Sequence, residues 1–513
     1  MLLSEIVETS RAVTATSSRT AKVEHLAATL RRAAAEDPKR IDVVASYLSG
    51  TLPQRRTGVS WRSLGELPPP AEEATLTVAD VDASAEELAG TSGSGSGATR
   101  RRIVAELFSR ATAVEQAWLR AAFVGEARQG AADGVMLQAI AKAGDVPDSA
   151  VRRAVMLAGR TGPVAEAALT GGADALGTIE LEVGRPLRPM LAASAPDVPA
   201  ALATMPGEVA LETKLDGIRL QAHVDEGAVS LFTRTLEDVT DRLPEVVDVL
   251  RRLPVRQAVL DGEVIALDET GRPLPFQVTG ARTASSADPE RLRAEVPLTP
   301  YFFDLLHLDG EDLVDHPLSE RWERLAEVTS EGHVAPRLTT ADVEQAQRFF
   351  DDVVARGHEG VVVKDPQLPY AAGRRGPGWI KVKPRHTLDL VVLAVEWGSG
   401  RRKGWLSNIH LGARDAETGG LVMLGKTFKG MTDEMLRWQT ERFRELAVGD
   451  PEAGWVVELE PEQVVEIAFD GVQRSTRYPG GMALRFARVI RYRDDKPVSE
   501  IDTVQTVRAL AGW

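Results

Sequence analysis

The feature that most constrains the fold is a change in sequence character at Val183–Pro189, where two prolines and a glycine fall within seven residues. Before it, apolar residues recur at helical spacing, and after it, short β-branched runs alternate with helical stretches. A chain of 513 residues has room for about three or four domains of ordinary size. We therefore expect an all-α domain over residues 1–183, an α+β domain over 184–386 and a third domain over 387–513.

Individual segments support the first two regions. Alanine and leucine repeat at helical spacing in Val23–Leu30 and again in Ile103–Phe108. The Gly/Ser-rich run Thr91–Gly97 predicts a flexible loop inside the helical domain, because helical patterns lie on both sides of it. In the second region, Val229–Thr233 is typical of a strand and Ala341–Arg356 of a helix.

The third region is dominated by short strand patterns. Leu390–Leu393, Leu421–Leu424 and Val464–Phe469 are apolar and rich in β-branched residues, and Met431–Leu446 has the pattern of a helix. A domain of this size with short strands and one helix favours a small β-barrel.

Composition excludes several classes of protein. With no cysteine, the chain has no disulfide framework, thiol nucleophile or cysteine-based zinc site. A net charge of −14 excludes a uniformly basic nucleic-acid binder but permits local basic tracks. The first residues lack the pattern of a secretory signal, and no stretch approaches the roughly 20 apolar residues of a membrane span. We expect a cytoplasmic protein.

Six short segments carry the residues suited to chemistry. The first is Glu212–Arg219 (ETKLDGIR), in which a lysine precedes Asp-Gly and an arginine. Only 11 of the 61 basic residues are lysines, and five of those 11 fall in the six segments. The remaining five segments are Leu260–Ile265, Phe302–Gly310, His358–Lys364, Trp379–Lys383 and Arg491–Lys496.

This ordered set resembles the six motifs of the covalent nucleotidyltransferases and, among them, the ATP-dependent DNA ligases. The chain is most similar to the actinobacterial accessory ligases with an N-terminal DNA-binding domain, and the similarity extends over the whole chain, including Arg185–Leu191. The resemblance implies a helical DNA-binding domain, an adenylation (nucleotidyltransferase) domain and a C-terminal OB-fold β-barrel. It further implies an enzyme that uses ATP to seal 3′-hydroxyl/5′-phosphate nicks in duplex DNA.

The resemblance makes Lys214 the residue that is adenylylated. A lysine amine can attack the α-phosphate of ATP, form a phosphoramidate and release pyrophosphate. Because a free lysine amine is protonated at neutral pH, its site must favour the neutral form, and nearby cations or a metal do so. Arg219, Lys381 and Lys383 are the expected cations, and they also neutralise phosphate charge.

Two glutamates, Glu263 and Glu359, are expected at strand ends. Such residues are usually solvated or ion-paired, but the resemblance implies that this pair holds the catalytic metal. Carboxylate and phosphate oxygens suit a hard cation, and six of the eight histidines lie outside the motif segments. Mg²⁺ or Mn²⁺ is therefore expected rather than zinc.

The resemblance also assigns nucleotide contacts. Phe303 stacks on adenine, although a phenylalanine in such an apolar run is ordinarily a core residue. Glu212 helps to recognise the adenine. Arg234 contacts the ribose and the nick phosphate, and its neighbours here are Thr-Arg-Thr where the family often has Ser-Arg-Asn. Of Arg374 and Arg375, the second has the better matching offset for an ATP contact.

The segment Arg493-Asp494-Asp495-Lys496 resembles the last motif, which in the family swings over the nucleotide and orients pyrophosphate for departure. Alone, it predicts only a charged hairpin turn. Its position about 110 residues after Lys383 favours the motif. Arg493, Asp495 and Lys496 are therefore expected to act on pyrophosphate.

Basic tracks are expected to face DNA phosphates. Residues 371–410 contain eight Arg or Lys against two acids, and six arginines lie within residues 471–493. Phosphate contacts of this kind are independent of sequence and sensitive to salt. In the helical domain, Arg55–Gly58 and Arg128–Gly130 are weaker candidates for the same role.

Other functions share part of this pattern. An RNA ligase or capping-type nucleotidyltransferase uses the same lysine chemistry, whereas NAD⁺-dependent ligases are disfavoured because the chain lacks their four-cysteine zinc site. A catalytically inactive DNA-binding scaffold would require the loss of a key lysine or glutamate, and all are present. We expect a monomer associated with the nucleoid through DNA, with an accessory role in repair; the sequence does not separate repair from replication.

Overall fold

A computed structural model describes residues 1–54, 56–93, 95–127, 133–285, 287–372 and 375–510. The side chains of residues 331 and 375–377 are also outside the description. The chain divides into two compact units, Met1–Val382 and Lys383–Trp513. None of the described helices is long and apolar enough to cross a membrane.

The N-terminal region of the first unit is mostly helical, as the sequence predicts. Its helices are α1 Leu3–Ala15, α2 Arg19–Glu36, α3 Ile41–Leu48, α4 Val78–Gly90, α5 Ser96–Ser109, α6 Ala113–Phe123, α7 Asp133–Gly144, α8 Asp148–Ala158 and α9 Thr161–Gly177. Thr77 and Thr112 begin helices α4 and α6 through reciprocal capping hydrogen bonds with Asp80 and Glu115. The loop predicted at residues 91–97 is shorter than expected, because α5 already begins at Ser96.

The rest of the first unit is α+β. Its strands are β1 Leu191–Ser194, β2 Val209–Lys214, β3 Ile218–Asp225, β4 Ala228–Thr233, β5 Gln257–Ala266, β6 Leu298–Leu308, β7 Glu311–Asp312, β8 Arg337–Thr340, β9 Gly360–Lys364 and β10 Arg375–Val382. Its helices are α10 Val198–Leu202, α11 Pro244–Leu250, α12 Phe276–Ala284, α13 Pro289–Glu295, α14 Leu318–Val328 and α15 Val343–Ala355.

These strands form two five-stranded sheets. The first has the order β1-β10-β9-β2-β8 and the second the order β4-β3-β5-β6-β7. The pairings are antiparallel except for the parallel pair of β1 and β10. Strands β2 and β3 belong to different sheets, although only Leu215, Asp216 and Gly217 separate them. Lys214, the last residue of β2, therefore lies where the chain passes from one sheet to the other.

The boundary segment Val183–Pro189 has no helix or strand, as its prolines predict. Leu187 donates its backbone N–H to the side-chain oxygen of Gln221 in β3 at 2.7 Å. Arg188 donates its backbone N–H to the carbonyl of Met156 in α8 at 3.0 Å. The segment is thus hydrogen-bonded to both the helical and the α+β regions.

The second unit is built on an antiparallel sheet. Its strands are β11 His386–Trp397, β12 Leu406–Arg414, β13 Leu421–Thr427, β14 Val456–Glu458, β15 Val464–Phe469, β16 Gly471–Arg474, β17 Met482–Arg485 and β18 Arg488–Tyr492, and its helices are α16 Asp433–Glu445 and α17 Val504–Leu510. The main sheet has the order β13-β12-β11-β15-β18, with β14 also paired to β11 and a separate β16–β17 ladder. Within residues 383–510 no ladder joins β13 to β18, so closure into a barrel stays a prediction.

Candidate active site

Lys214 is brought against Glu359 by the pairing of β2 with β9. Lys214 lies opposite Gly360 in the register, and Glu359 donates its backbone N–H to the Lys214 carbonyl at 3.1 Å. The Lys214 Nζ forms an ion pair with Glu359 Oε2. Both side chains are largely but not fully buried, with 21 % and 13 % of their surface exposed. Residues 145 positions apart in sequence are thus in direct contact.

Glu263 corrects one sequence expectation. It lies inside β5, three residues before Ala266, and not at a strand end, because the strand continues to pair with β6 beyond it. Its Oε1 accepts the backbone N–H of Gly217 at 2.8 Å. Desolvation raises the pKa of Glu263, and the nearby Glu359 carboxylate raises it further. The Lys214 ammonium and the hydrogen bond from the Gly217 N–H lower it and so offset part of this shift. Lys214 and two carboxylates therefore share one electrostatic environment.

Gly217 is required by close approach. A Cβ atom placed there would lie 2.2 Å from the Val264 carbonyl oxygen and 2.4 Å from a methyl group of Ile265. Only glycine lets the β2–β3 connection pass this close to β5. Gly217 thus lets the connection that follows Lys214 lie against Glu263.

Arg219 is half of a buried ion pair. Its guanidinium donates to both carboxylate oxygens of Asp261, at 2.9 and 2.5 Å, and to the Met190 carbonyl at 2.7 Å. Asp261 is fully buried and also accepts the Tyr370 hydroxyl at 2.7 Å. Burial disfavours the charge on Arg219, but Asp261 more than offsets it and raises the Arg219 pKa. Asp261 neutralises much of this charge, so a direct contact of Arg219 with phosphate stays a prediction.

A buried aromatic cluster lies next to Arg219, whose guanidinium carbon is 5.3 Å from the Phe303 ring centroid. The rings of Phe303 and Trp379 meet edge to face with centroids 5.9 Å apart, and Phe303 is 8 % exposed. The Lys364 Nζ lies 4.6 Å from the Phe303 centroid and 4.3 Å from that of Trp379. Phe303 is therefore a core residue whose ring also lies beside a buried cation.

Glu212 is joined to this aromatic cluster through Lys364. The Lys364 Nζ donates to Glu212 Oε1, and both residues are almost fully buried. Burial raises the pKa of Glu212 and lowers that of Lys364, and the two charges oppose these shifts. The second oxygen, Glu212 Oε2, has no hydrogen-bond partner among the described residues. An unsatisfied buried acceptor is costly, so it favours a ligand that donates a hydrogen bond there.

The remaining candidates of the first unit are more dispersed. Lys381 lies in β10 between Val362 of β9 and Ser194 of β1. Arg234 is exposed in the turn after β4 and lines a separate cavity of about 310 Å³ together with Arg188. The Arg375 side chain, all of Arg374, and Arg55, Arg128 and Gly130 lie outside the described residues. Arg56 forms an ion pair with Glu237.

The candidates in the second unit form charged clusters of their own. Lys383 donates to Asp470 at 3.1 Å. Asp389 in β11 accepts from Arg493 and from Lys496. Arg493 also forms a two-bond contact with Asp495, with both distances at 2.8 Å, and this bonding lowers the pKa of Asp495 to about 2.

A divalent cation fits the site at Lys214. No group of three or more His, Asp or Glu residues suited to a metal occurs in the described part of the chain, so a closed protein cage is not present there. Mg²⁺ is commonly held by one or two carboxylates together with substrate phosphates. Glu263 and Glu359 are two carboxylates beside one lysine, and their mutual repulsion is what a divalent cation would relieve.

Sequence reasoning missed the partners of several site residues. It gave no role to Asp261, Lys364, Tyr370 or Asp389, although the first two lie inside the motif segments. Each of these four residues has a charged or hydroxyl side chain that is at least partly buried. Each completes a hydrogen-bonded pair, either between two strands or between a strand and a loop. The rarity of lysine could have pointed to Lys364, whereas nothing local marks Tyr370.

Comparisons with known proteins show which family this chain is similar to. The family model described as "ATP dependent DNA ligase domain" matches residues 189–383, "DNA ligase N terminus" matches 62–141, and "ATP dependent DNA ligase C terminal region" matches 402–496. A "Probable DNA ligase" of Beutenbergia cavernae is 59 % identical over all of both chains. One from a Nocardioides species is also 59 % identical, over 100 % of this chain and 99 % of its own.

A solved structure called Pmar-Lig_PreS3 shares the fold, with a TM-score of 0.61 at 18 % identity over 95 % of this chain and 99 % of its own. The chain belongs to the ATP-dependent DNA ligase family. The resemblance drawn from the six motifs is confirmed, and the protein is a ligase that uses ATP.

Proposed function

We propose that this ligase seals nicks between a 3′-hydroxyl and a 5′-phosphate in duplex DNA through a covalent AMP on Lys214. The Lys214 amine attacks the α-phosphorus of ATP. A P–N bond forms, the bond to the bridging oxygen breaks, pyrophosphate leaves with that electron pair, and the amine gives up a proton. AMP then passes to the 5′-phosphate, and the 3′-hydroxyl displaces it to close the strand.

The observation that supports this proposal most strongly is that four residues lie together where the chain passes from one sheet to the other. They are Lys214, Glu359, Glu263 and Gly217. When the two carboxylates hold a divalent cation, the Lys214 amine is released from its ion pair with Glu359 and lies beside the phosphoryl group that it attacks. We assign Glu263 and Glu359 to Mg²⁺ (or Mn²⁺), which when bound would offset phosphate charge. The carboxylates position that cation, and before it binds Glu359 holds the Lys214 amine in place.

We assign the adenine of the nucleotide to the region around Phe303 and Glu212. Adenine is placed against Phe303 with its amino group toward the unsatisfied Oε2 of Glu212. The full ATP-binding set is Glu212, Arg219, Arg234, Glu263, Phe303, Arg375 and Lys381. Lys383, Arg493, Asp495 and Lys496 are assigned to the phosphates and to pyrophosphate, whose negative charge suits their cations.

We further propose three domains, 1–183 for DNA binding, 184–386 for adenylation and 387–513 as an OB fold, acting as a monomer. An exposed aromatic supports DNA binding by the last of these: Phe486 is 53 % exposed, and its φ of +55° is unusual for a non-glycine residue. The ammonium groups of Lys429 and Lys383 lie 5.2 and 5.7 Å from its ring centroid. An aromatic among cations suits contact with nucleic acid.

Nick sealing on a 5′-phosphorylated duplex tests the function. We expect closure with ATP and Mg²⁺, none with NAD⁺, and little with GTP. Lys214→Ala should abolish closure from ATP, whereas Lys39→Ala, which removes an exposed lysine of the helical region, should leave it unchanged. Preference for GTP or for an RNA nick would favour a capping enzyme or an RNA ligase, and inactivity under every condition would favour a DNA-binding scaffold.

A further inference from the structure

The two cations of the last motif share one carboxylate. Asp389, in β11, accepts from the Nη1 of Arg493 at 3.1 and 3.3 Å and from the Nζ of Lys496 at 2.8 Å. Arg493 and Lys496 are 19 % and 23 % exposed, and Asp389 is 13 % exposed. The motif's two positive charges are therefore organised around a residue that lies about 100 positions earlier in the chain.

The backbone of Asp389 is held in the sheet and by hydrogen bonds to Asp502. Its strand is paired with β12 on one side and β15 on the other. Its backbone N–H donates to a carboxylate oxygen of Asp502 at 2.7 Å, and its carbonyl accepts the Asp502 N–H at 2.9 Å. Arg493 and Lys496, in contrast, lie in a turn after β18. The position of the two cations thus depends on the strand that carries Asp389.

Like charges at close range repel, and the turn's own Asp495 bonds to Arg493, so a counter-charge that bonds to both cations is what keeps them together. Asp389 supplies it and still leaves donors for a phosphate. It takes one of the three N–H groups of Lys496 and only the Nη1 edge of Arg493. The other edge of that guanidinium is bonded to Asp495, which is 67 % exposed.

We infer that Asp389 is a positioning residue for the pyrophosphate step, because it holds Arg493 and Lys496 at a fixed spacing. The inference rests on the proposed function, which assigns those two cations to pyrophosphate. Pyrophosphate leaves when Lys214 is adenylylated and is absent from the two later steps. A residue that acts only through these cations should therefore affect the first step and its reversal, and no other.

Asp389→Asn tests this, since asparagine keeps the size of the side chain and removes its charge. We expect AMP-adduct formation from ATP in a single turnover to slow by roughly 10-fold, less than the roughly 100-fold expected for losing an oriented charge itself in Lys496→Ala. In the reverse direction, where pyrophosphate attacks the adduct and restores ATP and the free amine, we expect the KM for inorganic pyrophosphate to rise. Closure of a pre-adenylylated nick should be within twofold of the unmodified protein, which also shows that the variant is folded.

Glu466→Gln is the matched control. Glu466 lies directly opposite Asp389 on β15 and binds Arg491 at 2.7 Å, with no hydrogen bond to Arg493 or Lys496. Because Glu466 acts on Arg493 only through its charge, Glu466→Gln should slow adduct formation clearly less than Asp389→Asn and leave closure of the pre-adenylylated nick unchanged. Normal adduct formation by Asp389→Asn, or equal loss in both steps, would overturn the inference while the proposed function stood. If Lys496→Ala itself formed the adduct normally, the assignment of the last motif to pyrophosphate would fail instead.

Discussion

Asp261→Asn is expected to destabilise the first unit strongly. Asp261 is fully buried and accepts two hydrogen bonds from Arg219 and one from Tyr370. Removing one charge of a buried pair leaves the other uncompensated, at a cost of about 3–5 kcal/mol. Unfolding entropy near the midpoint is about 2.1 cal/mol/K per residue. For cooperative unfolding of Met1–Val382, this gives a fall in Tm of about 4–6 °C.

The assay is calorimetric or circular-dichroism melting of the full chain, with Asp315→Asn as the control. Asp315 also forms a two-bond contact with an arginine, Arg153, at 2.5 and 2.7 Å, but it is 60 % exposed. Exposed pairs contribute about 0–1 kcal/mol, so this control should lower Tm by about 1 °C or less. Equal shifts for the two variants would refute the argument that burial sets the cost.

Three further outcomes follow from the site. Gly217→Ala should abolish adenylylation and lower Tm, because its Cβ would overlap the Val264 carbonyl; adduct formation at a normal rate would contradict the packing argument. Glu212→Gln should shift the ratio of kcat/KM for ATP over GTP by roughly 10-fold toward GTP, since the amide can donate to a guanine carbonyl; an unchanged ratio would remove Glu212 from base recognition. Phe486→Ala should raise the Kd for nicked DNA and leave adduct formation intact, and the reverse pattern would argue against a DNA contact.

Much of the fold was predictable because strong local patterns decide it. Helical periodicity predicts the N-terminal helical region and helix α16, and a run of β-branched residues predicts strand β15. The position of Glu263 is not predicted in this way, because strand length depends on how far a neighbouring strand continues to pair. Closure of the C-terminal sheet likewise depends on pairing between strands that are distant in sequence, which no short stretch of residues determines.

In the candidate site, too, some features are predictable from the sequence and others depend on the folded structure. Lys214 and Glu359 were singled out by motif and are found in contact. The ion pair of Arg219 with Asp261 and the Lys364–Glu212 pair were not foreseen, because the burial that makes them pair is created by the assembled sheets. The motifs in the sequence predict which residues belong to the site, whereas the packing of the two sheets determines which of their charges form pairs.

The most direct test of the central claim is to locate the covalent AMP. The protein is mixed with ATP and Mg²⁺ without DNA, digested under mildly alkaline conditions that preserve a phosphoramidate, and sequenced by tandem mass spectrometry. We predict one AMP on the peptide that contains Lys214, released by acid and by inorganic pyrophosphate, and none in Lys214→Ala. AMP on another residue, or an equal adduct in that variant, would contradict the account.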